Sequence, residues 1–261
     1  MRYIGEVKFM KLFKTILLLC HLWVMAIFLN CSESELNPDI DFNTTETPVY
    51  LSANEVTIKA SDAAVVGQTY LLNNVSYVVV DSVMLYGMVK KHVDSIIPVT
   101  TFITNMSQLF ISEERLLANE FPIMDVSSWD VSNVTDMSFM FSGVGLNSFD
   151  GDINDWNVSG VANMSFMFDD NEKFNQDISK WNVYNVTNMQ RMFSQANAFN
   201  QDVSKWNVSK VINMESMFKR ATSFNQNLNP WEVGNVIECN NFSLHADKWI
   251  GKKPRFINCL E

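Results

Sequence analysis

Catalytic side chains are scarce in this sequence. It contains only three histidines, of which His21 lies in an apolar leader, which leaves His92 and His245. The chain has no zinc-protease helix motif, phosphate-binding loop or nucleophile elbow. Because an active site needs several reactive groups that converge, the sequence predicts a protein that is not an enzyme and that uses no cofactor or metal.

Positive charge is also in short supply. The chain carries 19 Lys and Arg against 29 Asp and Glu, which gives a formal net charge of -10 at pH 7. This balance argues against a polyanion as a partner, so we expect no nucleic acid among the ligands. Hydrophobic residues still make up 47% of the chain and charged residues 18%, as is typical of a globular protein.

Long apolar runs are few, and the longest lies in a leader at the start of the chain. The run from Ile16 to Leu29 follows a short basic stretch and is shorter than the ~20 residues that a spanning helix needs. This order of segments predicts a signal peptide over residues 1–30. A transmembrane helix is the alternative, and Met10 is an alternative start.

The leader ends in a segment that resembles a lipobox, Phe28–Cys31. By that resemblance Cys31 is acylated and anchors the protein in the outer membrane, at the cell surface. Asn30 departs from the small residue usual before the cysteine, so a signal peptide without lipidation remains the alternative. The acidic stretch Ser32–Glu35 resembles the export tract of surface lipoproteins, and residues 31–48 predict a flexible tether.

Internal periodicity is the strongest pattern in the chain. Tryptophans recur at intervals of 27 and then 25 residues, at Trp129, Trp156, Trp181, Trp206 and Trp231. Around them runs the pattern W-[DN]-V-x-x-V-x-[DN]-M-x-x-M-F, and three of the loops contain Phe-Asn-Gln. A repeat this regular predicts stacked units that together bury one continuous core.

The apolar spacing changes within each repeat. Trp181 and Val183 are two residues apart, as on one face of a strand. Val186, Met189 and Met192 follow the three-and-four spacing of a helical face. We therefore predict an α/β repeat solenoid, leucine-rich-repeat-like, with a short strand and a short helix in each coil. The methionines of the repeat are expected to fill the core.

Short segments on both sides are expected to cover the apolar ends of the stack. Residues 49–97 hold strand-like stretches around a turn at Asn73-Asn74 and a helix from about Ser82 to His92, which predicts a small β-rich N-terminal cap. The repeats then occupy residues 98–243, and residues 244–261 form a C-terminal cap.

Two cysteines remain beyond the leader. Cys239 takes the methionine position of the last repeat, and Cys259 lies close to the C-terminus. A disulfide between them would staple the C-terminal cap of an exported protein. Two unbridged core thiols are the alternative.

From Ile103 to Phe242 the repeat resembles that of the BspA-type leucine-rich-repeat surface proteins. The resemblance implies a lipid-anchored bacterial surface protein associated with adhesion. We therefore expect a binding module for an extracellular host or matrix protein or a glycan. The alternative is a structural envelope spacer without a specific ligand.

An outward ladder of polar side chains is the candidate ligand face. It consists of Asp130, Asn157, Asn182, Tyr184, Asn207 and Glu232. The same side chains would alternatively serve only to satisfy hydrogen bonds between coils. The aromatic pair Phe139 and Phe166 is a second candidate contact patch, unless both rings pack under a neighbouring loop.

Overall fold

The computed structural model of the chain describes residues 47–91, 93, 96–111, 124–143, 149 and 151–261. All of them belong to one compact unit, residues 46–261. The expected signal peptide (1–30), the lipidation site Cys31 and most of the tether (31–48) lie outside the described residues.

The first element is a two-stranded antiparallel sheet of β1 (Val49–Leu51) and β2 (Ile58–Ala60). Its inward side chains Val49 and Ile58 are buried. The sheet contacts the repeats directly, because the amide of Ile58 donates a hydrogen bond to the carbonyl of Ser128 at 2.9 Å.

A hairpin follows, with β3 at Thr69–Leu72 paired antiparallel to β4 at Val75–Val79. Asn73 and Asn74 both have positive φ, 51° and 64°. Two successive residues of this kind form the turn whose twist matches that of the flanking strands, and asparagine tolerates the conformation well. The turn predicted at Asn73-Asn74 is confirmed.

One helix, α1 (Ser82–Lys90), connects this hairpin to β5 (Ile97–Val99), which joins β4 in parallel. Asp81 caps the helix, since its carboxylate accepts a hydrogen bond from the amide of Met84 at 2.8 Å. The side chain thereby satisfies one of the amides that the first helical turn leaves unpaired. The helix expected here is found, and it ends at Lys90.

Neighbouring repeats are joined by single parallel bridges. The bridged pairs are Asn105–Asp136, Asp136–Asn163, Asn163–Asn188, Asn188–Asn213 and Asn213–Glu238. Between the bridges the described residues form turns, and α1, which precedes the repeats, is the only helix in the described part of the chain. The predicted α/β repeat solenoid, with a strand and a helix in each coil, is therefore wrong.

The hydrogen bonds of one repeat explain why no helix forms. The amides of Met164, Phe166 and Phe168 donate to carbonyls of the next repeat at 2.8–3.0 Å, whereas the amide of Met167 bonds back to Met164 at 3.3 Å. Phe166 has a φ of 59°, which is left-handed and interrupts any helix. Successive three-residue turns thus reproduce the apolar spacing of a helical face.

The tryptophans tie each repeat to the one before it. The indole N–H donates to a buried backbone carbonyl of the preceding repeat, at 3.0 or 3.1 Å in the four pairs Trp156–Val126, Trp181–Ile153, Trp206–Ile178 and Trp231–Val203. A buried indole N–H needs such a partner. The 25-residue tryptophan period is therefore the period of the stack.

Phenylalanines and methionines form the rest of the core. The rings of Phe141, Phe168, Phe193 and Phe218 stack in one column, with centroids 5.7, 5.7 and 5.5 Å apart. The predicted burial of the repeated methionines is confirmed, since four of them are 0% exposed: Met137, Met164, Met189 and Met214.

The last residues fold back over the final repeat. Cys239 and Cys259 are joined by a disulfide, and Phe256 packs edge-on against Phe242 with centroids 5.0 Å apart. The side-chain amide of Asn258 donates to the carbonyl of Gly234 at 2.6 Å. This segment covers the end of the phenylalanine column.

Candidate functional site

The asparagines of the predicted ligand face close local turns. Asn157, Asn182 and Asn207 are exposed. In each case Oδ1 accepts a hydrogen bond from the backbone amide two residues later, at 3.2, 3.2 and 3.1 Å. Asparagine favours this arrangement because its side chain mimics a backbone turn. The acceptor oxygen of each asparagine is therefore occupied within its own repeat.

The other three residues of the predicted ligand face, Asp130, Glu232 and Tyr184, differ in exposure and contacts. Asp130 is 2% exposed and lies 3.3 Å from the ammonium group of Lys59, so the structure does not place it on the outer face. Glu232 is exposed at the far end. Tyr184 is 43% exposed, and the ammonium of Lys210 sits 3.9 Å from the centre of its ring.

The aromatic pair lies on a different part of each repeat. Phe139 and Phe166 stack with centroids 4.3 Å apart and are half-buried. Arg191 covers Phe166 at 5.2 Å and forms an ion pair with Asp169 at 3.2 Å. Burial raises the pKa of the Asp169 carboxyl, while the charge and the hydrogen bond of Arg191 oppose the rise. The two rings therefore pack against each other, and Arg191 partly covers Phe166.

A concave surface that the sequence analysis did not identify lies where each repeat turns toward its Phe-Asn-Gln loop. One residue per repeat is left-handed there, with φ between 58° and 61°: Asp170, Gln195, Arg220 and His245. The cleft beside this column, which we call the groove, has a volume of about 330 Å³ and is lined by Glu172, Gln195, Asn197, Arg220, Thr222, His245 and Asp247.

Backbone hydrogen bonds hold the groove in place. The amides of Asp170, Gln195 and Arg220 each donate to a carbonyl of the next repeat, at 2.8, 2.7 and 2.8 Å. The next residue points inward, as Ala196 and Ala221 are fully buried. The peptide groups are therefore fixed by the stack, while the flanking side chains face solvent.

The chemistry of the groove changes from repeat to repeat. Glu172 is acidic, Gln195 and Asn197 are primary amides, and Arg220 is basic. Among the residues that the structure describes, neither Glu172 nor Arg220 forms an ion pair within 4 Å. Their charges are thus available to a ligand.

The chemical groups of the groove are hydrogen-bonding and charged side chains. In the described part of the chain, no three His, Cys, Asp or Glu side chains come together as metal ligands. The groove contains one histidine, His245, and one hydroxyl side chain, Thr222. What the side chains can do is donate and accept hydrogen bonds and pair with charges.

The signal for the groove was present in the sequence. The column Asp170, Gln195, Arg220 and His245 has the same 25-residue period as the tryptophans. The column is not visible as a repeated residue type, because the residue type changes from one repeat to the next. Variation at a fixed position beside an unchanging core was the informative pattern.

Stacked turns with a uniform core and a variable outer groove define a repeat protein. The chain belongs to the family described as "Mycoplasma protein of unknown function, DUF285", whose profile matches residues 85–177 and 144–252. No curated protein and no solved structure matches the chain. The one helix in the described residues, α1, is not long and apolar enough to cross a membrane.

Proposed function

We propose that this protein is a surface-anchored bacterial binding module that holds an extracellular protein or glycan in the groove. The observation that carries the proposal is the contrast between fixed and variable positions. From Trp129 to Phe218, tryptophans, valines, methionines and phenylalanines recur at the same buried positions, whereas the groove side chains differ at every repeat. A scaffold that varies only its outer positions is suited to recognition.

The place of the protein is part of the same proposal. The lipobox-like segment ending at Cys31 and the polar tether after it support a lipid anchor in the outer membrane with the repeats outside the cell. The resemblance of the repeat to BspA-type surface proteins supports an adhesive role. Protease added to intact cells should degrade the wild-type protein at the surface, and Cys31→Ser should lose its membrane attachment. A protein that stays protected in intact cells would contradict the surface location.

Binding is tested with the full chain, purified in detergent, on arrays of glycans and extracellular-matrix proteins. We expect a saturable ligand whose binding is weakened when Glu172→Ala and Arg220→Ala are combined. The matched control combines Glu232→Ala and Lys205→Ala, which removes the same charges at exposed positions outside the groove. Binding that is lost equally in both variants would place the site elsewhere.

A structural envelope spacer is the second candidate function. The closed turns of Asn157, Asn182 and Asn207 favour it, because that face serves the backbone. A spacer predicts no saturable ligand on either array. It also predicts a changed envelope, such as lower resistance to detergent, in cells that lack the protein.

A further inference from the structure

The groove carries opposite charges in different repeats. Glu172 lies between Asp170 and Lys173, which leaves this segment net negative. Arg220, two repeats farther along, is preceded by Lys219. The final repeat contributes both His245 and Asp247. Glu172 and Arg220 are thus an acidic and a basic centre two repeats apart, and Asp247 adds a second negative charge one repeat beyond Arg220.

The stack fixes the spacing between these two charges. Neighbouring backbone segments joined by a parallel bridge lie ~4.8 Å apart. Glu172 and Arg220 are two repeats apart, so their positions are separated by about 10 Å along the groove. An extended peptide in the polyproline II conformation advances about 3.1 Å per residue and brings every third side chain to the same face. Two side chains that are about three residues apart would therefore reach both charges at once.

The centre of the groove has the chemistry of a peptide bond. Gln195 and Asn197 are primary amides, which both donate and accept hydrogen bonds, as a peptide group does. The hydroxyl of Thr222 donates to Oδ1 of Asn197 at 3.3 Å, which orients that amide. A neutral glycan would use these amides but would leave the charges on both sides unpaired.

We propose that the groove binds an extended peptide segment with a cationic side chain facing Glu172 and an anionic side chain, about three residues away, facing Arg220. This inference rests on the proposed binding function and names its ligand class. Because backbone bonds already fix the groove, little ordering is required of the protein when the peptide binds. The acidic repeat at Glu172 also disfavours a purely anionic ligand.

Synthetic peptides test the proposal by fluorescence anisotropy with the full chain in detergent. The main probe has a pair of lysines and a pair of glutamates separated by two serines. A second peptide has the same composition with alternating charges, and two others carry only lysines or only glutamates. We expect the charge-separated peptide to bind about two- to fivefold tighter than the other three, as exposed ion pairs allow, and this advantage should fall at high salt.

A charge reversal in the groove makes the test specific. Arg220→Glu should weaken the charge-separated peptide and make the all-lysine peptide the best ligand. Lys205→Glu, the matched reversal at an exposed position outside the groove, should leave the order unchanged. Unchanged thermal unfolding of Arg220→Glu would show that the fold is intact.

The outcomes separate this inference from the function that it rests on. Peptide binding with no preference for separated charges, or an order unchanged by Arg220→Glu, would overturn the ligand assignment. A glycan that binds the groove on the array while all four peptides fail would also overturn it, and the binding function would stand. No ligand of any kind would reject both.

Discussion

Most polar residues of the repeat bind the backbone of the protein itself. In the Phe-Asn-Gln loops, Oδ1 of Asn175 accepts a hydrogen bond from the amide of Asn200 at 2.9 Å, and Oδ1 of Asn200 accepts one from Asn225 at the same distance. Gln201 donates to the carbonyl of Asn175 at 2.8 Å. These residues recur because each repeat must provide hydrogen-bond partners for the backbone of the neighbouring loop.

Asn171 is a residue whose polar side chain has no such role. It is 0% exposed, and neither atom of its amide has a hydrogen-bond partner in the described structure. The equivalent position holds Ala196, Ala221 and Ala246 in later repeats, all of them buried. A buried amide without partners costs about 1–3 kcal/mol.

We predict that Asn171→Ala raises the free energy of unfolding by about 1 kcal/mol, since it removes that cost and loses some packing. Urea unfolding with an unchanged m-value would measure the gain. The reverse change, Ala196→Asn, should destabilise the protein. Equal or lower stability of Asn171→Ala would mean that the amide is satisfied by water in solution.

Within a repeat, some features followed from the sequence and others did not. The Asn73-Asn74 hairpin and α1 were predictable because local chemistry determines them. The turns of the repeat were mistaken for a helix, because residues such as Met189 and Met192 have the same spacing in both structures. The positive φ of Arg191 distinguishes these turns from a helix. The sequence does not indicate it, because arginine rarely adopts a left-handed conformation.

The tryptophan bond between repeats provides a test at the level of the element. Trp181 donates to Ile153, whereas the indole N–H of Trp129, equally buried, has no partner among the described residues. Both changes to phenylalanine reduce ring volume, but only Trp181→Phe removes a hydrogen bond. We expect Trp181→Phe to cost about 1 kcal/mol more than Trp129→Phe in urea unfolding. Equal losses would show that ring packing alone links the repeats.

For the molecule as a whole, the sequence predicted a stacked core but not the surface on which a ligand is now proposed to bind. The core was visible because identical residues recur with one period, as Trp181 and Trp206 show. The groove was missed because Gln195 and Arg220 share a position without sharing a residue type. Their proximity arises only when the repeats stack, so it depends on the contacts between repeats and not on any single segment.

Stacking also determines which repeats a destabilising substitution should affect. Each repeat contacts mainly its neighbours, so the stability of the stack is close to a sum of local terms, and its ends unfold most easily. At the C-terminal end, the disulfide between Cys239 and Cys259 closes a loop with a sequence separation of 20. Such a crosslink typically contributes about 3 kcal/mol by restricting the unfolded chain.

Removing this crosslink with Cys259→Ser should therefore loosen the last repeat first. We expect faster amide exchange around Phe242 and Trp249, with Trp156 and its neighbours unchanged, because the loss is local. Cys239→Ser should produce the same pattern and a further loss, since its hydroxyl would be buried at a site that is 0% exposed. Uniformly faster exchange along the chain would contradict local coupling and indicate that the repeats unfold as one cooperative unit.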